Sequence, residues 1–279
     1  MEERQSEGLR FSLFDPSGNI TALVESPVAP EEQRAAAMRI MARFPNVEQV
    51  GFVRLPAEEG MQVAMRMAGG EFCGNASMSA AALSLLRRAV PCGSRERVEL
   101  RVSGVSHAVE VLLKRETEDS FLASVRMPRA LSAAEEEFSF GSLRGTLPVV
   151  RLEGITHAVV TEGSVFFRLL RGRESAGEAA RAFCAALGAE AFGLMFLEGD
   201  APRLRLTPLV YVPGSGTLCW ESSCASGSAA AAATLAERAG TPVSIKLAEP
   251  GGVLTAESGG LRGETCLCGR TRLIGEECL

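Results

Sequence analysis

The chain has few lysines and no long apolar run among its 279 residues. Only two lysines occur, Lys114 and Lys246, and their strand-like settings do not single out either as a Schiff-base residue. The longest run of small apolar residues, around 229–233, is far too short to span a bilayer. The polar segment 1–10 lacks the apolar core of a signal peptide, so we expect a cytoplasmic protein with no membrane partner.

Basic clusters and metal-ligand spacings are also missing. The net charge is -5, which argues against nucleic acid and anionic membrane surfaces as partners. Only two histidines, His107 and His157, could complete a metal site with the eight cysteines. Cys266 and Cys268 are separated by one residue rather than the two to four usual in zinc sites, so we expect no metal. In a cytosolic chain of this size the thiols are expected to be reduced.

Two cysteines begin nearly identical runs of small residues. Cys73 lies in EFCGNASMSA, which starts at residue 71, and Cys224 lies in SSCASGSAAA, which starts at residue 222. Each run continues into an alanine-rich helix, predicted over 74–90 and up to Ala239 with Gly240 as its C-cap. A helix N-terminus favours anions and lowers the pKa of a thiol. Two buried core cysteines are the alternative, but the repetition indicates a symmetric site with two facing thiols.

The rest of the chain predicts short strands arranged as an internal repeat. Each half has strands, a helix (30–44 or 176–187), more strands, a cysteine-led helix and further strands. The cysteine-led helices are apolar all round near their starts, which predicts that each is buried within a curved sheet. Pro128 is expected to begin a crossover rich in Ser, Ala and Glu, and residues 261–264 are expected to form a strand.

At the cysteine motifs the chain resembles the diaminopimelate epimerase and proline racemase superfamily of cofactor-independent racemases and epimerases. The matching segments follow the same order through almost the whole chain: DPSGN from residue 15, EQVGF from 48, GEFCGNASMS from 70, VSG from 102, PLVYVP from 208, WESSC from 220 and PGG from 250. Within this superfamily the segments are most similar to the histidine racemases that supply D-histidine for staphylopine-type metallophores.

The resemblance implies an α+β fold. It has two pseudo-symmetric lobes, each a curved, barrel-like sheet around a central helix, with the active site in the cleft between them. The first lobe would comprise residues 1–128 with a C-terminal strand in 268–279, and the second lobe residues 129–267. A homodimer is compatible with a chain of this size.

The implied activity is racemisation of a small-molecule amino acid without pyridoxal phosphate or another cofactor. Because an α-hydrogen is a very weak acid, one thiolate would remove it while the opposite thiol supplies a new proton. Cys73 and Cys224 match the two positions. Facing helix N-termini would bind the substrate carboxylate, on which the charge develops. The residues just after each cysteine would supply the donors, namely Gly74, Asn75, Ala225 and Ser226.

Five more residues are candidates for a place near the substrate, and all but His157 have a structural alternative. Asn19, at the tip of the first hairpin, resembles a substrate-contacting asparagine or is a simple turn residue. Glu48 and Gln49 resemble a strand edge that lines the cleft or belong to exposed surface. His157 resembles a histidine near the second cysteine, where it could position the thiol or shift its pKa. Glu221 could orient a thiol, bind the substrate amine or be a solvated loop acid.

Three interpretations stay open. The first is a histidine racemase, and the second is a diaminopimelate epimerase or a racemase or epimerase of another amino acid. The third is a non-catalytic amino-acid-binding relative or a cysteine metal-binding protein. No arginine lies between Trp220 and Cys224, where diaminopimelate epimerases carry an arginine loop for the distal end of their substrate. This departure disfavours diaminopimelate, and the intact cysteine pair disfavours a non-catalytic relative.

Overall fold

The computed structural model describes residues 8–56, 62–201, 203–261 and 263–279. The strands in these ranges are β1 Arg10–Pro16, β2 Thr21–Val24, β3 Gln49–Arg54, β4 Val63–Met67, β5 Arg95–Val102, β6 Val109–Arg115, β7 Ser120–Arg126, β8 Ser132–Phe140, β9 Leu143–Leu152, β10 Ile155–Thr161, β11 Phe192–Glu198, β12 Leu204–Val212, β13 Thr217–Trp220, β14 Val243–Glu249, β15 Gly252–Ser258 and β16 Thr265–Cys278. The α-helices are α1 Gln33–Arg43, α2 Gly74–Arg87, α3 Arg173–Leu187 and α4 Ala225–Ala239, and a 3₁₀ helix spans Val165–Arg171.

The first half of the sheet closes into a ring around α2. Strands β1 to β7 are neighbours in chain order, and β16 pairs with both β7 and β1. Two parallel pairs interrupt the antiparallel ring, because α1 connects β2 to β3 and α2 connects β4 to β5. Helix α2 contacts all eight strands, and its residues 74–85 are buried. It therefore runs through the interior of the ring.

The second half repeats this plan around α4. Its strands follow the order β16-β15-β14-β12-β11-β10-β9-β8, with β13 added on β12. The parallel pairs recur, β10 with β11 across α3 and β12 with β14 across α4. The prediction of an α+β fold with two similar lobes, each a curved sheet around a central helix, is confirmed. The lobe boundaries at 1–128 with 268–279 and at 129–267 stay a prediction.

The central helices begin and end at identifiable signals. Helix α2 stops at Arg87, before the predicted end at residue 90, because Ala89 takes a positive φ of 52°. Helix α4 ends at Ala239 as predicted, with Gly240 in the left-handed region at φ 66°. Buried hydroxyls within the helices donate to carbonyl oxygens one turn back, as Ser79 does to Asn75 at 3.0 Å. Small polar residues are therefore compatible with the buried positions that alanine otherwise fills.

Two segments differ from the sequence-based expectation. The predicted crossover after Pro128 contains strand β8, which pairs with β9 along its whole length. Residues 261, 263 and 264 lie in a turn rather than in a strand, and β16 starts at Thr265. Strand β16 runs to Cys278 and so links the two halves of the sheet.

The starts of α2 and α4 meet at the junction of the two halves. A Cβ atom placed on Gly74 would lie 2.8 Å from the Cβ of Ala225 and 3.2 Å from the sulfur of Met127. Real Cβ atoms do not approach so closely, so the contact requires glycine at position 74. The first residues of the two cysteine-led helices are therefore in direct contact.

Adding one methyl group at this contact should destabilise the fold. We expect Gly74→Ala to lower the free energy of unfolding by about 1–3 kcal/mol, because the added methyl group would overpack the interior. Ala225→Gly in the same chain should recover part of the loss by returning the space. Urea unfolding of the single and double variants measures both effects. Gly163→Ala is the matched control, since nothing lies within 4 Å of its Cβ position; equal losses at 74 and 163 would contradict the contact.

Candidate active site

The two cysteines occupy equivalent positions at the helix starts. Cys73 is the N-cap of α2 with φ -135° and ψ 111°, and Cys224 is the N-cap of α4 with φ -133° and ψ 102°. The Cys73 sulfur accepts a hydrogen bond from the backbone N–H of Ala76 at 3.4 Å. Extended N-cap geometry directs each side chain at the first turn of its helix, where N–H groups have no intrahelical partner. The Cys73 thiol thus lies beside a backbone donor, whereas the Cys224 side chain makes no capping hydrogen bond.

Both thiols line one small cavity between the lobes, which we call the inner cavity. Its volume is about 30 Å³, roughly the space of one water molecule. It is lined by Asn19, Gln49, Glu71, Phe72, Cys73, Gly74, Asn75, Ile155, Val210, Val212, Glu221, Ser223, Cys224, Ala225 and Ser226. The predicted site residues thus come together around this cavity, apart from Glu48 and His157. These two do not line the cavity but contact residues that do.

A second chamber, the outer chamber, adjoins the inner cavity. It holds about 80 Å³ and shares Gln49, Glu71, Val210, Val212 and Glu221 with the inner cavity. Its other walls come from α1, from β13 and from the segments that flank them, namely Arg34, Ala37, Met38, Met41, Glu48, Val50, Ala68, Gly69, Ser215, Thr217 and Cys219. The sequence patterns gave no sign of the contribution of α1 to this wall.

A chain of hydrogen bonds crosses from one lobe to the other behind the inner cavity. The Asn75 amide donates to Asn19 Oδ1 at 3.4 Å and to the Ser223 carbonyl at 3.2 Å. The Asn19 amide donates to Glu48 Oε2 at 2.8 Å, and Glu48 also accepts from the backbone N–H of Ser222 at 2.9 Å. Asn19 is buried, so it is more than a turn residue. Glu48 is a partly buried bridge rather than exposed surface.

Gln49 and Glu221 form a second bridge, with the Gln49 amide donating to Glu221 Oε1 at 2.7 Å. Burial, with a smaller contribution from the neighbouring acids Glu48, Glu249 and Glu71, raises the pKa of Glu221 to about 8. Glu221 is therefore not a solvated loop acid. It is a buried carboxyl that can gain or lose a proton near neutral pH.

His157 reaches Cys224 through a hydroxyl. Its Nε2 lies 2.8 Å from Ser226 Oγ, and that oxygen lies 3.6 Å from the Cys224 sulfur. Burial lowers the pKa of His157 to about 3, so the ring is neutral. Its Nδ1 lies against Gly193 of the paired strand β11, where a Cβ atom would stand 2.4 Å away. The ring thus has a fixed place and positions Ser226 beside the thiol.

The helix starts do not make the thiols acidic in this closed site. Burial raises the pKa of Cys73 to about 12 despite the hydrogen bond from Ala76. Burial also raises the pKa of Cys224 well above its usual value, and Glu221 and Glu249 add to that rise. The expectation of lowered pKa values is therefore wrong for the empty cavity. Desolvation and nearby carboxylates outweigh the helix dipole here.

Glu249 is a site residue that the sequence analysis missed. It ends β14, and its Oε2 accepts a hydrogen bond from the backbone N–H of Cys224 at 2.7 Å. Its other oxygen accepts from Ser228 Oγ. Burial raises the pKa of Glu249 to about 7. Its place directly before the PGG segment was the only available signal, and that signal does not reveal a helix-capping role.

Comparisons with known proteins give the family context of this site. A family model described as the histidine racemase CntK N-terminal domain matches residues 8–264. A histidine racemase of Fusobacterium nucleatum subsp. nucleatum strain ATCC 23726 is 31% identical over 229 residues, which cover 80% of this chain and 79% of the relative. A histidine racemase of Staphylococcus aureus strain Mu50 is 29% identical over 223 residues, with coverages of 79% and 77%.

Several solved structures share this architecture. A probable proline racemase from Agrobacterium radiobacter K84 has a TM-score of 0.72 and covers 97% of this chain and 92% of its own length. A hydroxyproline epimerase from Agrobacterium vitis has a TM-score of 0.69, with coverages of 99% and 93%. Both are 15% identical to this chain, so their similarity establishes the fold alone.

Glu249 should give the protein a measurable pH dependence of stability. Because its pKa is raised from 4.5 to about 7, folding favours the protonated form, and this contribution is lost as pH rises through about 7. We expect the unfolding free energy of wild type minus that of Glu249→Gln to fall by about 3 kcal/mol between pH 4.5 and 8. Urea unfolding across this range measures it. A fall of equal size for Glu257→Gln, an exposed carboxylate on β15, would contradict the assignment.

Proposed function

The chain belongs to the histidine racemase family, and we propose that it interconverts L- and D-histidine by a two-base mechanism with Cys73 and Cys224. It is an amino-acid racemase or epimerase of the cofactor-independent class, and so an isomerase. The observation that carries the two-base proposal is the meeting of two thiol-bearing helix starts at one buried cavity.

The proposed reaction moves one proton at each face of the α-carbon. One thiolate takes the α-hydrogen and becomes a thiol, while the opposite thiol gives its proton to the carbon and becomes a thiolate. The C–H bond that breaks and the C–H bond that forms lie on opposite faces, so the configuration inverts. The two cysteines exchange protonation states, and the reverse reaction uses them in the opposite order.

The substrate carboxylate would lie across the two helix starts. Amides of Gly74 and Asn75 at α2, and of Ala225 and Ser226 at α4, border the inner cavity where the negative charge develops. Donors fixed in advance at such a position stabilise an enolate-like transition state more than the ground state. Asn19 and Glu48 would act indirectly, because their hydrogen bonds hold Asn75 in place.

The site favours a substrate that brings positive charge. Two of the residues that line the inner cavity are acidic, Glu71 and Glu221, and none is basic. The α-ammonium group of an amino acid would add positive charge beside the thiols and lower their pKa. Glu221 interacts with Cys224, and its pKa of about 8 lets it carry a proton in this site near neutral pH. His157 would position Ser226 beside Cys224.

Histidine suits the outer chamber better than diaminopimelate does. Three carboxylates, Glu48, Glu71 and Glu221, face this chamber, and its one basic lining residue, Arg34, donates to the Ser215 carbonyl at 2.8 Å. The distal end of diaminopimelate carries a carboxylate beside its ammonium group, and no free basic side chain among the described lining residues of this chamber would pair with that carboxylate. An imidazole ring carries an N–H donor, from which a carboxylate can accept a hydrogen bond.

The finer statements on partners and location stay predictions. The chain acts on an amino acid, which agrees with its family. A homodimer, the absence of nucleic-acid binding and a cytoplasmic location follow from sequence reasoning alone. The helices in the described ranges are all too short or too polar to span a bilayer.

Removing either thiol should stop racemisation. We expect Cys73→Ala and Cys224→Ala each to lower kcat by roughly 10²–10⁴-fold, because one face of the α-carbon then lacks its acid or base. Circular dichroism of L-histidine solutions follows the loss of optical activity. Cys92→Ala, which removes an exposed thiol, should keep the wild-type rate. Near wild-type turnover by either cavity variant would sink the two-base assignment.

The substrate can be identified by isotope exchange. In deuterium oxide, L-histidine should convert to D-histidine that carries α-deuterium, without pyridoxal phosphate or added metal, because the donating thiol exchanges with solvent. Diaminopimelate should turn over poorly, since burying its unpaired distal end costs roughly 1–3 kcal/mol. Chiral chromatography with mass spectrometry measures both. Rapid exchange of diaminopimelate with none of histidine would exclude histidine while leaving the racemase activity in place.

A further inference from the structure

Four carboxylates surround the two cavities, and two of them have both oxygens occupied. Glu48 Oε2 accepts from the Asn19 amide and from the backbone N–H of Ser222, and its Oε1 accepts from the Ser222 hydroxyl at 2.5 Å. Both carboxylate oxygens of Glu249 accept hydrogen bonds from the start of α4. These two acids therefore hold the protein together and have little capacity left for a ligand.

The third carboxylate, Glu221, is also engaged. Its Oε1 accepts from the Gln49 amide at 2.7 Å, and its side chain interacts with the Cys224 thiol. This acid serves the cysteine and the bridge between the lobes. A substrate donor would have to displace one of these contacts to reach it.

Glu71 is the carboxylate with an open oxygen. Its Oε2 is buried and has no hydrogen bond of normal geometry among the described residues, although the backbone N–H groups of Gly69 and Glu71 lie near enough to the carboxylate to favour its charged form. A buried acceptor without a partner costs free energy, so such an atom is an indication that a ligand completes it. Glu71 lies between β4 and α2, two residues before Cys73, and lines both the inner cavity and the outer chamber.

The backbone makes room for this carboxylate. A Cβ atom on Gly69 would lie 2.4 Å from Glu71 Oε2, so a side chain at position 69 would take the place of that oxygen. Arg66, the nearest basic residue to act on Glu71, donates instead to Gln33 Oε1 at 3.1 Å. The acid is thus held at the passage between the two cavities without being neutralised by a direct ion pair.

The outer chamber beyond Glu71 combines apolar and acidic lining residues. Met38 and Met41 of α1 and Val210 and Val212 of β12 supply apolar wall. An imidazole ring has two apolar faces and carries its N–H at the edge. An aliphatic side chain in the same place would leave the Glu71 oxygen without a donor.

We propose that Glu71 is the specificity-determining residue of this racemase, and that its Oε2 accepts a hydrogen bond from the imidazole N–H of the substrate in the outer chamber. This inference rests on the proposed function, because it assigns the side-chain end of a histidine whose α-carbon lies between the thiols. Glu71 therefore selects the side chain, while the helix starts bind the carboxylate.

The binding of two substrate fragments distinguishes recognition of the imidazole ring by Glu71 from other roles of this residue. Imidazole-4-propionate carries the ring and the carboxylate but no ammonium group, whereas L-alanine carries the carboxylate and the ammonium group but no ring. Isothermal titration calorimetry gives the Kd of each for the wild type and for Glu71→Gln. We expect about a tenfold weaker Kd for imidazole-4-propionate in the variant, since a charged acceptor is lost, and an unchanged Kd for L-alanine.

A second variant keeps the charge and moves it. Gly69→Ala should displace the carboxylate and weaken imidazole-4-propionate to a similar extent, again without effect on L-alanine. Glu257→Gln on the outer face of β15 is the matched control and should bind both fragments like wild type. Thermal unfolding of each variant verifies that it is folded.

The remaining outcomes overturn the proposal. Weaker binding of L-alanine alone would place Glu71 at the ammonium group, and equal weakening of both fragments would make its role structural. Unchanged binding of both would exclude contact with the substrate. Failure of the proposed function is a separate result, because it would appear as wild-type protein that racemises another amino acid but not histidine.

Discussion

The contact between Gly74 and Ala225 is the constraint on which the rest of the site depends. Each central helix is buried inside its own curved sheet, so neither can shift without moving a ring of strands. With no side chain at position 74, the two helix starts approach to within contact distance, and Cys73 and Cys224 then border one cavity. A larger residue at that point would separate the thiols before it affected either lobe. The geometry of the pair is therefore set by packing rather than by the cysteines themselves.

Electrostatics at this junction oppose the usual effect of a helix N-terminus. The helix dipole favours a thiolate, but it acts over a short range and competes with desolvation in a cavity of about 30 Å³. Glu71 and Glu221 line the cavity with no lysine or arginine among the lining residues, so the empty site holds both thiols neutral.

The sequence was most informative where a feature is local. The small-residue runs predicted both central helices, and Gly240 marked the end of α4 because a left-handed C-cap needs only its own neighbours. Strand β8 was missed because Glu135, Glu136 and Glu137 interrupt the alternation that a half-buried strand normally has. Glu249 and Glu71 were missed for another reason. Their roles depend on where β14 and the α2 entry lie in three dimensions, and no spacing along the chain encodes that.

The two halves of the site are not equivalent, although the reaction is symmetric. Cys73 accepts a hydrogen bond from Ala76, whereas the backbone of Cys224 is bound by the carboxylate of Glu249. Enantiomers have equal free energies in solution, so kcat/KM must be the same in both directions whatever the environments of the two thiols. In the proposed reaction the asymmetry can therefore change kcat and KM between the two enantiomers only by a common factor. Burial raises the pKa of both thiols and Glu221 adds to that rise, with Glu71 acting on Cys73 and Glu249 on Cys224, so the two environments differ in hydrogen bonding more than in nearby charge.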